Sequence, residues 1–87
     1  MQRLLDVSEL EPCEPLEQTL HAVASLQPGE YLRVIHRREP NLLYPMLEKS
    51  GHGWLCREGG PAGYEIFIWH QDDPVSTNEA NRAFSEC

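Results

Sequence analysis

Length, composition and charge exclude several classes of protein. The 87 residues fit one domain, and 40% hydrophobic with 24% charged residues are ordinary values for a globular chain. Seven Lys and Arg against 14 Asp and Glu give a formal net charge of -7, which repels nucleic-acid phosphates. No apolar run is long enough to span a bilayer, and Asp6 comes too early for a signal peptide. We therefore expect a cytoplasmic protein that binds neither nucleic acid nor membrane.

The cysteines indicate a reducing compartment. Cys13, Cys56 and Cys87 stand at wide and irregular spacing. An odd number at such spacing is unlike a disulfide framework and unlike the close pairs of a zinc knuckle. We expect reduced thiols, no metal and no cofactor.

The first half of the chain alternates strand and helix. Residues 3–7 predict a short strand, and the alternation in residues 31–36 predicts another. Between them, apolar side chains recur at helical spacing over residues 15–26. Pro15 suits the first helical turn, and residues 27–30 contain Pro and Gly, which are typical of a turn.

The second half continues with a helix and a hairpin. Asn41 is the expected N-cap of a helix that has Leu43 and Leu47 on one stripe and ends at Gly51. Residues 53–57 and 64–70 are predicted to form two strands. The loop between them is rich in glycine, which permits the chain to reverse as a hairpin.

Residues 71–87 form a C-terminal tail that admits two interpretations. Ser76 and Glu79 have the spacing of a capping box, and Ala80 and Phe84 lie on one stripe, which favours a short helix. About ten residues are marginal as a helix without tertiary contacts, so a frayed tail is the alternative.

The element order β-α-β-α-β-β predicts an α+β fold over residues 1–70. Strand-helix-strand units cross over with the right hand and leave their strands parallel. Both helices therefore fall on one face of a four-stranded sheet, in a two-layer α/β sandwich.

Proline-rich segments of the chain resemble a known family. Residues 5–16, followed by Pro28-Gly29-Glu30, Arg38-Glu39-Pro40 and Leu43-Tyr44-Pro45, are similar to the domain-of-unknown-function 2249 family, which looks like a relative of the TusA/SirA-like sulfur carriers. The resemblance spans roughly residues 4–70. It implies a TusA/SirA-like fold in which the mixed sheet has the order 1-2-4-3.

The same resemblance directs attention to Cys13. Sulfur carriers of this type use a Cys-Pro-x-Pro element whose cysteine accepts a persulfide. This chain has Pro12-Cys13-Glu14-Pro15, so that Pro12 stands where the carrier cysteine belongs and Cys13 comes one residue later.

The surroundings of Cys13 favour two opposite interpretations. A thiol just before a helix has a lowered pKa, and parallel strands would bring His36, Arg37 and Arg38 toward it as support for a thiolate. The acidic residues around Cys13 instead raise the pKa of its thiol. The alternative is an unreactive cysteine in a proline-rich loop.

The basic turn after the second strand also has two interpretations. Arg37 and Arg38 could bind an anion together with the start of the second helix. The alternative, which we favour, is that Arg38 or Glu39 pairs with a neighbouring loop and fixes the turn.

Four histidines raise the question of a metal. If Glu58 pairs with Tyr64 in the hairpin, His52 lies opposite His70. Two imidazoles are at most half of a tetrahedral zinc site, so we expect ordinary histidines at strand ends and no metal.

Strand alternation predicts an apolar sheet face that the two helices leave uncovered. We expect it to carry Tyr31, Ile35, Leu55, Phe67 and Trp69. Such a face calls for a partner surface or for the C-terminal helix. A modest exposed patch with Arg33, Arg57 and Glu65 at its rim is the alternative.

These patterns contain no arrangement typical of a self-sufficient enzyme. We expect a small interaction or accessory module that docks to a protein partner, or forms a weak homodimer, through this face or through the edge at residues 12–15. The alternative is a persulfide carrier or redox relay that uses Cys13.

Overall fold

The computed structural model describes residues 2–9 and 14–85. Within these ranges the chain forms four strands and three helices. The strands are β1 (Gln2–Asp6), β2 (Tyr31–His36), β3 (His52–Gly59) and β4 (Gly63–His70), and the helices are α1 (Glu14–Ala24), α2 (Leu43–Lys49) and α3 (Pro74–Ser85). None of these helices is both long and apolar enough to cross a membrane.

The strands form one mixed sheet with the order β1-β2-β4-β3. β1 pairs with β2 in parallel, whereas β4 is antiparallel to both β2 and β3. The predicted sheet order is confirmed. The hairpin register is confirmed as well, since Glu58 pairs with Tyr64 and His52 with His70.

The main core lies between the sheet and the pair α1 and α2. Its buried side chains come from every second position of the strands and from the apolar stripes of the helices. They are Val7, Val23, Leu26, Leu32, Val34, Leu43, Leu47, Ile66 and Ile68. Truncation of such a side chain to alanine costs about 2–5 kcal/mol, so this layer holds the fold together.

The start of α2 differs from the prediction. Its N-cap is Leu42, which makes no side-chain cap hydrogen bond, and Asn41 lies one residue earlier in a turn. The turn is closed by the amide of Leu43, which donates to the carbonyl of Pro40 at 3.0 Å. The helix therefore begins one residue later than an Asn41 cap would require, and Pro45 falls in its first turn, where it is tolerated.

The C-terminal segment forms a helix, but its cap is not the predicted one. Asp73 accepts from the amides of Val75 and Ser76 at 3.1 and 3.3 Å, and Pro74 occupies the first helical position. Ser76 is fully buried, and its hydroxyl donates back to the carbonyl of Asp73. The proposed capping box at Ser76 is therefore wrong.

α3 packs on the sheet face opposite to α1 and α2, against β4 and β2. Two helices share one face as predicted, but the third helix adds a layer to the expected two-layer sandwich.

Candidate functional site

The sheet face beneath α3 is apolar and aromatic. Tyr31 of β2 and Phe67 of β4 stack with their ring centroids 6.3 Å apart, and Trp69 lies beside them. All three are buried. Gly53 of β3 makes room for the indole, because a Cβ at that position would stand 2.7 Å from the Trp69 ring.

α3 presents small residues and one aromatic ring to this face. Ala80 is fully buried, and Ala83 packs with it against the aromatic cluster. Small side chains let the helix axis come close to the sheet. Phe84 meets Phe67 edge to face, with the ring centroids 5.8 Å apart and the planes at 87°.

The five residues of the predicted interaction face lie on this side of the sheet. Strand alternation placed Tyr31, Ile35, Leu55, Phe67 and Trp69 there, and all but the partly buried Leu55 are buried. This face is not open, because α3 covers it. The sequence had left open whether a partner or the C-terminal helix would do so. Leu4 of β1 stays 62% exposed at the margin of the same face.

A buried carboxylate lies within this apolar surface. Glu65 of β4 accepts hydrogen bonds from Arg33 of β2 at 2.7 Å and from Arg57 of β3 at 2.9 Å, each from the arginine Nε. A second nitrogen of each guanidinium donates to the same oxygen as its Nε, so Arg33 binds Oε2 of Glu65 and Arg57 binds Oε1. Burial raises the pKa of the Glu65 carboxyl, but the hydrogen bonds and charges of Arg57 and Arg33 outweigh it and hold the pKa below its ordinary value.

One of the two arginines also binds α3. Arg57 Nη1 donates to the carbonyl oxygen of Phe84 at 3.0 Å, which satisfies a terminal carbonyl of the helix. Its guanidinium carbon lies 5.2 Å from the centroid of Phe67 and 5.7 Å from that of Phe84. The cluster of Glu65, Arg33 and Arg57 therefore links three strands of the sheet to the last turn of α3.

The expected position of the charged residues at the rim is wrong for Glu65, which is only 1% exposed. The signal was present in the sequence, because the predicted hairpin register places Arg57 directly opposite Glu65 and strand alternation puts Glu65 on the face of Phe67. A glutamate considered alone is expected to be exposed. The two arginines offset the cost of removing the Glu65 carboxylate from water.

The predicted basic turn follows β2 at the end of the parallel pair. The amide of Val7 donates to the carbonyl of Ile35 at 3.0 Å, so the ends of β1 and β2 lie side by side. The amide of Arg38 donates to His36 Nδ1 at 3.2 Å. Burial, together with the charges of Arg38 and Arg37, lowers the pKa of His36.

The predicted thiol lies outside the described residues. Cys13 directly precedes α1 in the sequence, and its role with His36, Arg37 and Arg38 stays a prediction. The same turn has a structural contact, since the Tyr44 hydroxyl donates to the carboxylate of Glu39 at 3.1 Å.

Cys56 does not replace Cys13 as a reactive thiol. It is half-buried on β3 against the main core, and burial raises the pKa of its thiol. A raised pKa leaves little thiolate at neutral pH. Cys56 therefore serves as a small side chain packed against the main core.

The cross-strand histidines meet as the hairpin register predicted. The ring centroids of His52 and His70 are 4.4 Å apart. Across residues 2–9 and 14–85, no cluster of three or more His, Cys, Asp or Glu residues could hold a metal ion.

Residues 4–70, more than half of the chain, match the uncharacterized conserved protein family DUF2249. The chain belongs to this family. Neither a curated protein nor a solved structure matches it.

The family boundary divides the candidate site into two parts. The DUF2249 match contains β2, β3 and β4 and all but the first two residues of β1, and with them Glu65 and its two arginines, but it ends at residue 70. α3 begins at Pro74 and lies beyond it. The family region therefore supplies the sheet face, and a helix outside that region supplies its cover.

Proposed function

We propose that this DUF2249 protein is a protein-interaction module that binds an amphipathic helix on the sheet face now covered by α3. The observation that carries the proposal is the division of the site: residues of the family region build a buried face, and a helix outside the family match fills it. α3 then acts as an intramolecular ligand that competes with the partner.

The face has the two features that helix-binding surfaces need. Tyr31, Phe67 and Trp69 provide a compact aromatic surface for the apolar stripe of a helix. Arg57 provides a cation for the carbonyl groups at the helix C-terminus, as it does for Phe84.

α3 itself shows which partner fits. Its docked stripe is alanine, alanine and phenylalanine at positions i, i+3 and i+4, and the last of these lies in the final turn. The partner helix should therefore carry small residues followed by an aromatic residue near its C-terminus. Another protein, or α3 of a second copy in a weak homodimer, can offer this pattern.

The test uses a labelled peptide of residues 73–85 and the full chain. Ala80→Asp in the chain places a charge in the buried contact and disfavours docking of its own α3. We expect this variant to bind the wild-type peptide at least tenfold more tightly than the wild-type chain does, because the face is no longer occupied. Fluorescence anisotropy measures the affinity.

Matched controls separate docking from a general loss of structure. Asn81→Asp adds the same charge at an exposed position of α3 and should leave peptide binding at the wild-type level. Trp69→Asp, combined with Ala80→Asp, should abolish the gain. If the Ala80→Asp chain keeps a cooperative urea transition and still binds the peptide no better than the wild type, the helix-binding function is wrong.

A second candidate function concerns Cys13. It is a thiol-based persulfide carrier or redox relay, and what favours it is the position of Cys13 directly before α1 together with the adjacent ends of β1 and β2, where His36, Arg37 and Arg38 follow. Limiting iodoacetamide across pH, with the label located by mass spectrometry, tests it. Alkylation of Cys13 well below pH 8 supports the relay, and a rate no higher than that of a free cysteine removes it.

The relation to TusA/SirA-like carriers is part of the same proposal. The sheet order β1-β2-β4-β3 with α1 and α2 on one face is what that relation implies, and it supports common ancestry of the fold. We also propose a cytoplasmic location, which is supported by the spacing of the three cysteines.

A further inference from the structure

The ion cluster beneath α3 contains one cation more than it contains anions. Arg33 and Arg57 share the single carboxylate of Glu65, so two guanidinium groups face one carboxylate. Arg57 also donates to the carbonyl of Phe84 at the end of α3. The docked helix thus engages one of the two arginines through a backbone carbonyl, which does not neutralise the charge of the cluster.

The other arginine keeps donor capacity. Nε and Nη2 of Arg33 both donate to Oε2 of Glu65, whereas Nη1 has no hydrogen-bond partner among residues 2–9 and 14–85. In those residues, Nε2 of His52 is the one buried side-chain nitrogen or oxygen without a partner, so Nη1 of Arg33 is in contact with solvent. A guanidinium nitrogen in this state can bind a second carboxylate.

The side of Arg33 that faces β1 is open. Leu4 pairs with Arg33 across the parallel strands and is 62% exposed. Asp6 lies on the same face of β1, but its carboxylate accepts from the amide and the hydroxyl of Ser8 at 2.9 and 2.6 Å. A ligand can therefore approach Arg33 between β1 and α3.

Arg33 also lies close to the aromatic contact of the docked helix. Its guanidinium carbon is 5.8 Å from the centroid of Phe67, and Phe84 of α3 meets the same ring at 5.8 Å. One helical turn rises about 5.4 Å, so an acidic side chain next to the aromatic residue of a bound helix has the reach to pair with Arg33. The molecule has a net charge of -7 and repels a strongly acidic partner, so one carboxylate is the match.

We propose that Arg33 determines which helix the sheet face prefers, by pairing with one carboxylate directly after the aromatic residue of the partner helix. This proposal rests on the helix-binding function described above and names the chemistry of the partner. The extra ion pair gives such a helix an advantage over α3, whose described residues form no ion pair with Arg33.

The test compares two forms of the peptide of residues 73–85, amidated at its C-terminus so that no carboxylate follows Phe84. Ser85→Glu in the peptide adds a carboxylate directly after the aromatic residue, and Ser85→Gln is the neutral control of similar size. We expect the Ala80→Asp chain to bind the glutamate peptide at least threefold more tightly than the glutamine peptide, as measured by fluorescence anisotropy.

Two further measurements assign this gain to Arg33. Arg33→Gln in the Ala80→Asp chain should bring the affinity ratio of the two peptides to about one, whereas Arg38→Gln, at an exposed position after β2, should leave the ratio unchanged. In the chain that keeps Arg33, raising NaCl from about 0.05 to about 0.5 M should lower the ratio, because salt screens an exposed ion pair. The salt series requires no change in the cluster.

The outcomes separate this proposal from the helix-binding function. Equal affinity of the two peptides would overturn the role of Arg33 and leave helix binding in place, because both peptides still bind. A gain that persists with Arg33→Gln, or an equal gain from Asn78→Glu at an exposed position near the start of the peptide, would show a general effect of charge and also overturn it. If no peptide binds the Ala80→Asp chain, both proposals are wrong.

Discussion

At the scale of single residues, Glu65 decides how the sheet face is held. Its carboxylate is shared by Arg33 and Arg57, and its side chain is 2% exposed, whereas those of the arginines are 28% and 16% exposed. The acid is thus more completely removed from water than its partners. Its removal would leave two cations facing each other beneath α3.

We therefore expect Glu65→Gln to lower the free energy of unfolding by about 2–3 kcal/mol. Breaking a fully buried pair costs roughly 3–5 kcal/mol, and the partial exposure of both arginines reduces this figure. Urea denaturation at pH 7 measures the change. Glu17→Gln, at an exposed position of α1, is the matched control, and an equal effect of the two substitutions would show that the ion cluster contributes no net stability.

At the scale of elements, α3 is held at both of its ends. Arg57 bonds the carbonyl of Phe84 in the last turn, and Asp73 caps the first turn. Asp73 also accepts from the amide of Gly29, in the turn before β2, at 2.6 Å. This last bond is the largest cause of the lowered pKa of the Asp73 carboxyl. One carboxylate therefore joins the helix to the body of the fold.

Asp73→Ala is expected to loosen α3 ahead of the rest of the molecule. The helix loses both its N-cap and its contact with Gly29, so the amides of α3 should exchange their hydrogens faster than those of the sheet. The melting temperature should fall by several degrees. Asp72→Ala is the neighbouring control at an exposed position, and uniform exchange rates in the two variants would contradict the proposed role of Asp73.

At the scale of the whole molecule, two histidines that are at least partly buried link stability to pH. His36 and His52 both have pKa values below the ordinary 6.5, mainly because of burial. The unfolded chain therefore binds more protons than the folded chain just below pH 6.5, and stability falls as the pH decreases through this range.

We expect the free energy of unfolding to be nearly constant above about pH 7.5 and to decline between about pH 7 and 5. A second decline, below the ordinary 4.5 of a glutamate, follows from the lowered pKa of Glu65. Denaturant titrations at a series of pH values measure both. His36→Gln should flatten the first decline, and a wild-type profile that rises as the pH falls from 7 to 5 would contradict the prediction.

How much of the site was predictable depends on which forces fix each part. Strand alternation and the hairpin register are local, and they placed Phe67, Trp69 and Leu55 on one face and His52 opposite His70. The cap of α3 was missed because Asp73 and Ser76 both lie near the start of the helix and both can cap a helix. The sequence signal that favours Asp73 is Pro74, which suits the first helical position, and the bond from Gly29 to Asp73 adds a tertiary contact to the same choice.

The amino-acid sequence alone determined the four strands and the first two helices, the pairing of the hairpin strands and the apolar character of both sheet faces, because periodicity and turn chemistry act over a few residues. The tertiary structure decided what covers the second face and where the buried charge lies. A helix of about ten residues gains its stability from the surface it packs on, and Glu65 is stable out of water only between two arginines from separate strands.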